Sequence, residues 1–568
     1  MMYESRDDGL YEIRHDSEPV KLCGPIQVKA IVSDKARRNG FGLLLEWKNL
    51  VGNTFQEVLP MEEIDDYSAK KLRQRLRRSG FVISPRRNSW DKVLCYLIET
   101  RVDEHAISSN TTGWVDKSFV TPGWTVNNGD EKVIFSGPTS TEHLAIKGSL
   151  ESWKDQVGTL CQHNPVLIFS ICTALAAPLI HWLSWDSCGF HLVGQSKSGK
   201  TTAMQIAASV CSDESYWDTW RSTANGLEAI SASRNDMLLC LDEFHQASPE
   251  DVDQAIYMLA NGVSKIRSNQ DGSLAARSRW KLLFLSTGEI GLSEMLFKIK
   301  QEAKAGQLIR FNEIPIIGKY GVFDYLHGFK SAKQFADELR DRVKNNHGSL
   351  LHPWLIHLSN VQNISQFIRL KIEELTDKWE IESAGNQVGY ALDRFALLAV
   401  AGELAIQFGL VPWSKGDVEN AIYHIVQGWI TARGFEGDAE EQFIINKAPL
   451  AIKAWNKRLT LPGKELTPDL AGYWKYENNE LAWFITRDSF KNGFGLKQAN
   501  ARKILELSTL LAKKEWLQTN ESSRGTFKVK PALSGETGKQ ERYYKIYPQR
   551  ICTELSLTID FPKKVSQA

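Results

Sequence analysis

An α/β fold, with a parallel sheet wrapped by helices at its centre, is what the 568-residue sequence predicts, and three stretches carry the prediction. Cys188 to Val210 reads CGFHLVGQSKSGKTTAMQIAASV: an apolar run, a glycine-bearing loop, then a helical pattern. Asn235 to Glu243 reads NDMLLCLDE, an apolar run closed by two carboxylates. Trp280 to Thr287, WKLLFLST, is a third apolar run, ending in hydroxyls. Short apolar runs separated by helical segments are the pattern of strands buried on both faces.

Gly194-Gln195-Ser196-Lys197-Ser198-Gly199-Lys200-Thr201, followed by Thr202, fits the phosphate-loop pattern G-x-x-x-x-G-K-[ST]. The glycines let the backbone turn its N–H groups toward phosphates, and the helix N-terminus adds partial positive charge. The expected ligands are ATP and Mg²⁺, with Lys200 on the β- and γ-phosphates and the Thr201 hydroxyl on the metal. About 40 residues on, Asp242 is the expected metal carboxylate and Glu243 the general base for the attacking water. The hydroxyls closing the next strand, Ser286-Thr287, suit a sensor of the γ-phosphate, and Thr287 is the choice.

A helix is expected over Pro249 to Asn261. Between it and the WKLLFLST strand, Gly262 to Arg279 reads GVSKIRSNQDGSLAARSR, two arms meeting at an Asp-Gly turn. Lys265, Arg267, Arg277 and Arg279 on these arms suit contacts to DNA phosphates; a surface hairpin with solubilising charges is the plainer alternative. A further strand is expected over Leu308 to Phe311.

The flanks divide the chain into four expected domains. Residues 1–145 form a β-rich α+β accessory domain, with a hairpin of Gly40–Trp47 and Thr54–Pro60 around Val51-Gly52-Asn53. Its helix over Tyr67 to Ser79 carries Lys70, Lys71, Arg73, Arg75, Arg77 and Arg78, a pattern more often a solvated face than a nucleic-acid surface. Residues 146–330 hold the nucleotide core, and 331–435 a helical lid with a long apolar helix over Gly389 to Leu410. Residues 436–568 read as a winged helix: helices over Ala439 to Asn456 and Asn500 to Lys514, then strands at Gly525–Lys530 and Arg542–Tyr547. Lys497, Arg502, Lys503, Lys513 and Lys514 suit DNA there, and a protein-interaction module is the equal alternative.

Hydrophobic content of 42% and charged content of 24% fit a folded chain. A net charge of +1 excludes nucleic-acid binding by bulk charge and leaves local patches, or a ring of subunits presenting them. The eight scattered cysteines offer neither zinc spacing nor a disulfide framework. The charged N-terminus lacks a signal-peptide core, and Pro165 to Leu183, broken by Ser170, Thr173 and His181, reads as a buried helix. A cytoplasmic protein with no membrane partner is expected.

The phosphate loop, Trp220 to Glu228, MLLCLDE, Arg279 to Glu289 and Ala305 to Arg310 together resemble the domain of unknown function 927 family, over roughly residues 10 to 320. That family holds helicase-like ATPases of phages, plasmids and integrated mobile elements. The core is also similar to the minichromosome maintenance helicases of the AAA+ class. The resemblance implies a hexameric ring, a DNA-gripping role for the basic hairpin, an arginine finger at Arg310 in Ile309–Asn312, and a sensor arginine at Arg394 in Asp393–Leu398. Both arginines would act on a neighbour's nucleotide. Those helicases place Asn where this chain has Ser286-Thr287. The leading function is an ATP-dependent, ring-forming DNA helicase or translocase working on single-stranded or forked DNA, with replication-initiation partners, in the replication of a mobile element. The alternative is an AAA+ remodelling or anti-phage defence ATPase that does not unwind DNA.

Overall fold

The computed structural model describes residues 2–14, 17–64, 66–137, 144–268, 274, 277–301, 303–381, 386–433, 439–462, 464, 466–496, 501–518, 528–529 and 543–562. The chain divides into two compact units, Met1–Glu380 with Ala391–Arg433, and Ile381–Tyr390 with Gly434–Ala568.

The first unit begins with an antiparallel sheet of Met2–Arg6, Gly9–Arg14 and Ser17–Cys23. A five-stranded sheet follows, in the order Lys132–Phe135, His105–Ser109, Ile26–Ser33, Gly42–Lys48, Thr54–Pro60. Its last two strands are the hairpin read from the sequence, with Leu43 opposite Leu59 and Gly52 at φ +85 in the turn. Helices Asp66–Arg78 and Ser89–Glu99 bury Leu72, Leu76, Trp90, Val93 and Leu97 on it. On the basic helix Arg75 is tied to Glu57 at 2.5 Å and Glu63 at 2.9 Å, so one of its six cations is structural.

The central sheet is parallel throughout, in the order Asp218–Thr219, Leu238–Asp242, Leu283–Gly288, Cys188–Val193, Phe311–Pro315. Its inner strands read LLCLD, LFLSTG and CGFHLV, and are buried because helices cover both faces. Gly189 lets the neighbouring strand close up, since a Cβ there would meet the Phe284 ring at 1.9 Å. Helix Pro165–Ala176 is apolar all round and packs on helices Lys200–Ser209 and Asp417–Arg433. The window Pro165–Leu183 is long and apolar enough to cross a membrane, yet 89% of it is buried inside the protein, as a core helix is.

The sheet departs from expectation at its edge. The strand expected at Leu308–Phe311 lies at Phe311–Pro315, and Ala305–Leu308 is a helical turn. Gln307 explains the shift: fully buried, it donates to Asp253 Oδ1 at 2.6 Å, which holds the turn against helix Pro249–Asn261. Arg310 therefore sits before the strand. Helices Ala332–Asn345, Leu351–Asn360, Ile364–Lys378, Asn386–Gln407 and Asp417–Arg433 follow.

The second unit carries a five-stranded sheet, Leu459–Thr460, Gly472–Glu477, Glu480–Ile485, Tyr543–Ile546 and Lys528–Val529 in spatial order. Helices Ala439–Asn456, Arg487–Gly493, Ala501–Lys513 and Pro548–Glu554 accompany it. The expected C-terminal strands pair antiparallel, Lys528 opposite Tyr544. Residues 530–542 between them and the side chains of Lys497, Arg502 and Lys503 lie outside the described residues. The hairpin Gly472–Glu477/Glu480–Ile485 is absent from the sequence reading. Its signal was there: the aromatic-rich runs GYWKYE and ELAWFI around Asn478-Asn479, both at positive φ (46° and 68°) as a two-residue turn requires.

Candidate active site

The phosphate loop leaves the C-terminal end of strand Cys188–Val193 and enters helix Lys200–Ser209. Lys197 (φ 63°) and Gly199 (φ 87°) take left-handed backbone, which bends the loop around a central space. Lys200 folds onto the loop, donating to the Gly194 carbonyl at 2.9 Å, the Gln195 carbonyl at 2.7 Å and Ser198 Oγ at 3.3 Å. Burial pulls its ammonium below the usual lysine range, and the carboxylates of Glu289, Asp242 and Glu243 oppose that.

Asp242, at the end of the adjacent-but-one strand, gathers three donors. Thr201 Oγ1 reaches its Oδ2 at 3.2 Å, while the Thr287 hydroxyl and the Glu243 N–H (2.9 Å) share Oδ1. The motif residues, some 40 positions apart in sequence, thus meet at one carboxylate. Glu243 has φ +62°, an uncommon backbone state for a non-glycine residue, and its half-exposed carboxylate lies 3.2 Å from His245 Nδ1. Ser196–Thr202, Asp242, Glu243, His245 and Thr287 all line one cavity of about 510 Å³, a volume within the range of small-molecule sites.

Beneath the sensor strand runs a buried relay that the sequence reading missed. Trp220 Nε1–H donates to Ser286 Oγ at 2.8 Å, the Ser286 hydroxyl donates to His191 Nδ1 at 2.9 Å, and His191 Nε2–H donates to the Ile290 carbonyl at 3.0 Å. The direction follows from the last bond, because a carbonyl only accepts. Burial holds the His191 pKa down at about 4, so the ring is neutral. A histidine inside the apolar run GFHLV was the signal, since a buried polar group needs partners.

The basic hairpin forms antiparallel arms, with Val263 opposite Arg279 and Ser268 opposite Leu274; its tip at 269–273 lies outside the described residues. Its four cations do not share one role. Arg267 donates to Glu228 Oε2 at 2.5 Å and Asn225 Oδ1 at 2.7 Å, and the Glu228 side chain is 3% exposed. Arg277 crosses between the arms to the Ser264 carbonyl at 2.9 and 3.1 Å. Lys265 and Arg279 are exposed, and among the described residues their side chains have no hydrogen-bond or ion-pair partner. Two of the four residues expected on phosphates are thus already engaged, Arg277 between the arms and Arg267 on helix Ala224–Ser233.

Arg310 and Arg394 lie away from the cavity. Arg310 bonds the Gly306 carbonyl at 2.9 Å and stands 3.8 Å from the exposed Asp186. Arg394 is buried, its guanidinium 4.0 Å over the Trp185 ring. Both surround the start of the loop strand, where Gly189 N–H donates to the Arg310 carbonyl. The loop opens at the other end of that strand, roughly 16 Å along at about 3.3 Å per residue.

A family model described as Domain of unknown function (DUF927) matches residues 3–279, just under half of the chain. This bears out the family resemblance carried by the phosphate loop, Trp220 to Glu228 and MLLCLDE; the match stops before the Trp280–Glu289 and Ala305–Arg310 stretches. No curated protein matches. Among solved structures, one described as "SCCmec type IV Cch - active helicase" superposes with a TM-score of 0.66 at 16% identity, over 98% of this chain and 99% of that one. The two chains share a fold across nearly their whole lengths.

Proposed function

We propose that this chain, with its DUF927 match over residues 3–279, is an ATP-dependent, ring-forming DNA helicase or translocase of a mobile genetic element, acting in that element's replication. The observation that carries the proposal is the convergence of Lys200, Thr201, Asp242, Glu243 and Thr287 on one cavity, one strand away from a basic hairpin. The strand order, with the sensor strand between the loop strand and the Asp242 strand, supports an AAA+ core. The similarity in fold to a structure described as an active helicase supports the same reading.

The cavity fits a magnesium nucleotide. Lys200 lies across the loop carbonyls and can turn from them to phosphate oxygens. Thr201 Oγ1 and Asp242, 3.2 Å apart, fit the hydroxyl and carboxylate that hold Mg²⁺. Bound ATP supplies the phosphoryl group that is transferred to water. Gly194 to Thr202 orient its phosphates through backbone N–H groups and the helix N-terminus. Glu243 accepts the proton of the attacking water, and His245 holds the carboxylate in place. Thr287, fixed on Asp242, positions that water. Arg310 completes a neighbour's site, which ties hydrolysis to ring assembly. Lys265 and Arg279 move DNA by its phosphates.

Lys200→Ala should lower ATP turnover by at least a hundredfold with folding intact by circular dichroism; unchanged turnover would sink the assignment. A protein-remodelling ATPase is the competing reading. It is favoured by the +1 net charge and by the internal pairing of Arg267 and Arg277. Strand displacement on forked DNA with 3′ or 5′ tails separates the two, since only the helicase separates strands in an ATP-dependent way.

A further inference from the structure

The cavity around the phosphate loop has a second wall, built from two elements after the last sheet strand. One is the turn Gly318–Phe323. Its Val322 N–H donates to the Ser198 carbonyl at 2.8 Å, and Gly318 pairs with Gly321, Tyr320 with Phe323. Gly321 has φ +80°, and a Cβ there would come within 2.2 Å of the Ser198 oxygen, so turn and phosphate loop touch backbone to backbone. Phe323 is buried and Tyr320, 38% exposed, lines the cavity.

The other element is helix Ala332–Asn345, capped by Ser331 Oγ on Gln334 N–H at 3.2 Å and packed on helix Lys200–Ser209. Phe335 and Leu339 bury one face. Lys333, Asp337 and Arg340, spaced at i, i+4 and i+7, turn the other face to the cavity. The Arg340 guanidinium donates to the Asp337 carboxylate, so a flat cation is held at the wall without filling the space.

This wall does not repeat the chemistry of the other side. Thr201, Asp242, Glu243 and Thr287 already provide for metal and water. A tyrosine ring, a planar guanidinium and a carboxylate suit a flat ring system with hydrogen-bonding edges attached to a sugar. Stacking on aromatic or guanidinium planes is the usual means of holding a base. We infer that Tyr320 and the Lys333–Arg340 face form the subsite for the nucleoside half of the nucleotide, supplied by the same subunit as the phosphate loop. The inference rests on the nucleotide reading above.

The test uses the full chain with Mg²⁺, titrated with a non-hydrolysable ATP analogue and, separately, with inorganic tripolyphosphate. Tyr320→Ala and Arg340→Ala should each weaken the analogue about tenfold and leave tripolyphosphate within about twofold, whereas Lys200→Ala should weaken both. Tyr320→Phe should bind the analogue as the wild type does. Equal loss of both ligands in the Tyr320 and Arg340 variants, or loss of neither, overturns the subsite while the effect of Lys200→Ala keeps the nucleotide reading. Wild-type binding of both ligands by Lys200→Ala overturns the nucleotide reading itself.

Discussion

Asp242 is held by three hydrogen bonds, from Thr201, Thr287 and the Glu243 backbone, so its position is set before any metal arrives. Glu243 keeps a half-exposed carboxylate on left-handed backbone, beside His245. His191 lies one layer below and bears on stability. Its folded pKa of about 4 stands below the ordinary 6.5, so the folded chain refuses a proton that the unfolded chain accepts. Stability from this residue is therefore complete above pH 6.5 and falls as pH drops toward 4, by about 3 kcal/mol over the full window. Urea melts of wild type and His191→Gln between these pH values check this. The variant should lose that part of the slope, and parallel slopes would speak against the buried neutral ring.

At the scale of elements, the hairpin shows how equal charges acquire unequal duties. Removing the partner of a buried carboxylate costs about 3–5 kcal/mol, far more than a solvent-facing cation contributes. Arg267 on the buried Glu228 is therefore an anchor to helix Ala224–Ser233, and Lys265 and Arg279 are the two proposed to meet phosphates. Lys265→Ala and Arg279→Ala should each weaken single-stranded DNA binding several-fold and reduce the salt slope of log K by about 0.7. Arg267→Ala should instead lower the melting temperature, and Glu228→Gln in the same chain should restore most of it. If Arg267→Ala changes only DNA affinity, with the salt slope, its anchoring role is wrong.

For the whole molecule, the relevant distance runs along the loop strand. Arg310 is part of the sheet end opposite the phosphate loop, roughly 16 Å from it, so within one subunit it cannot serve its own site, and the role expected of it is on a neighbour's nucleotide. In the ring proposed above, that end belongs at a neighbour's cavity. Mixtures of inactive Arg310→Ala and Glu243→Gln chains should then recover a measurable fraction of wild-type ATP turnover, because some sites receive an intact Glu243 and an intact Arg310. No recovery in mixtures shown to co-assemble would exclude the trans role. Arg394, stacked on Trp185 at the same end, is placed to support that edge.

The parallel core, the phosphate loop, the Asp242–Glu243 pair and the basic hairpin are legible in the chain's local order alone. Each is written in contiguous residues whose spacing follows strand and helix periods or the reach of a phosphate-binding turn. The Asn478-Asn479 hairpin was equally local and was missed, although aromatic-rich arms flank its two-residue turn. The partners of residues far apart in the chain are set by folding. Arg267 and Lys265 look alike along the chain, and the buried Glu228 separates them. His191 reads as an apolar-strand residue until Ser286, itself bonded by Trp220, meets it from the neighbouring strand. Tyr320 and Arg340 carry no motif, and they line the phosphate-loop cavity because a glycine turn and a helix fold back on it. Contacts of that kind depend on which surfaces the core buries together, and no local spacing encodes them.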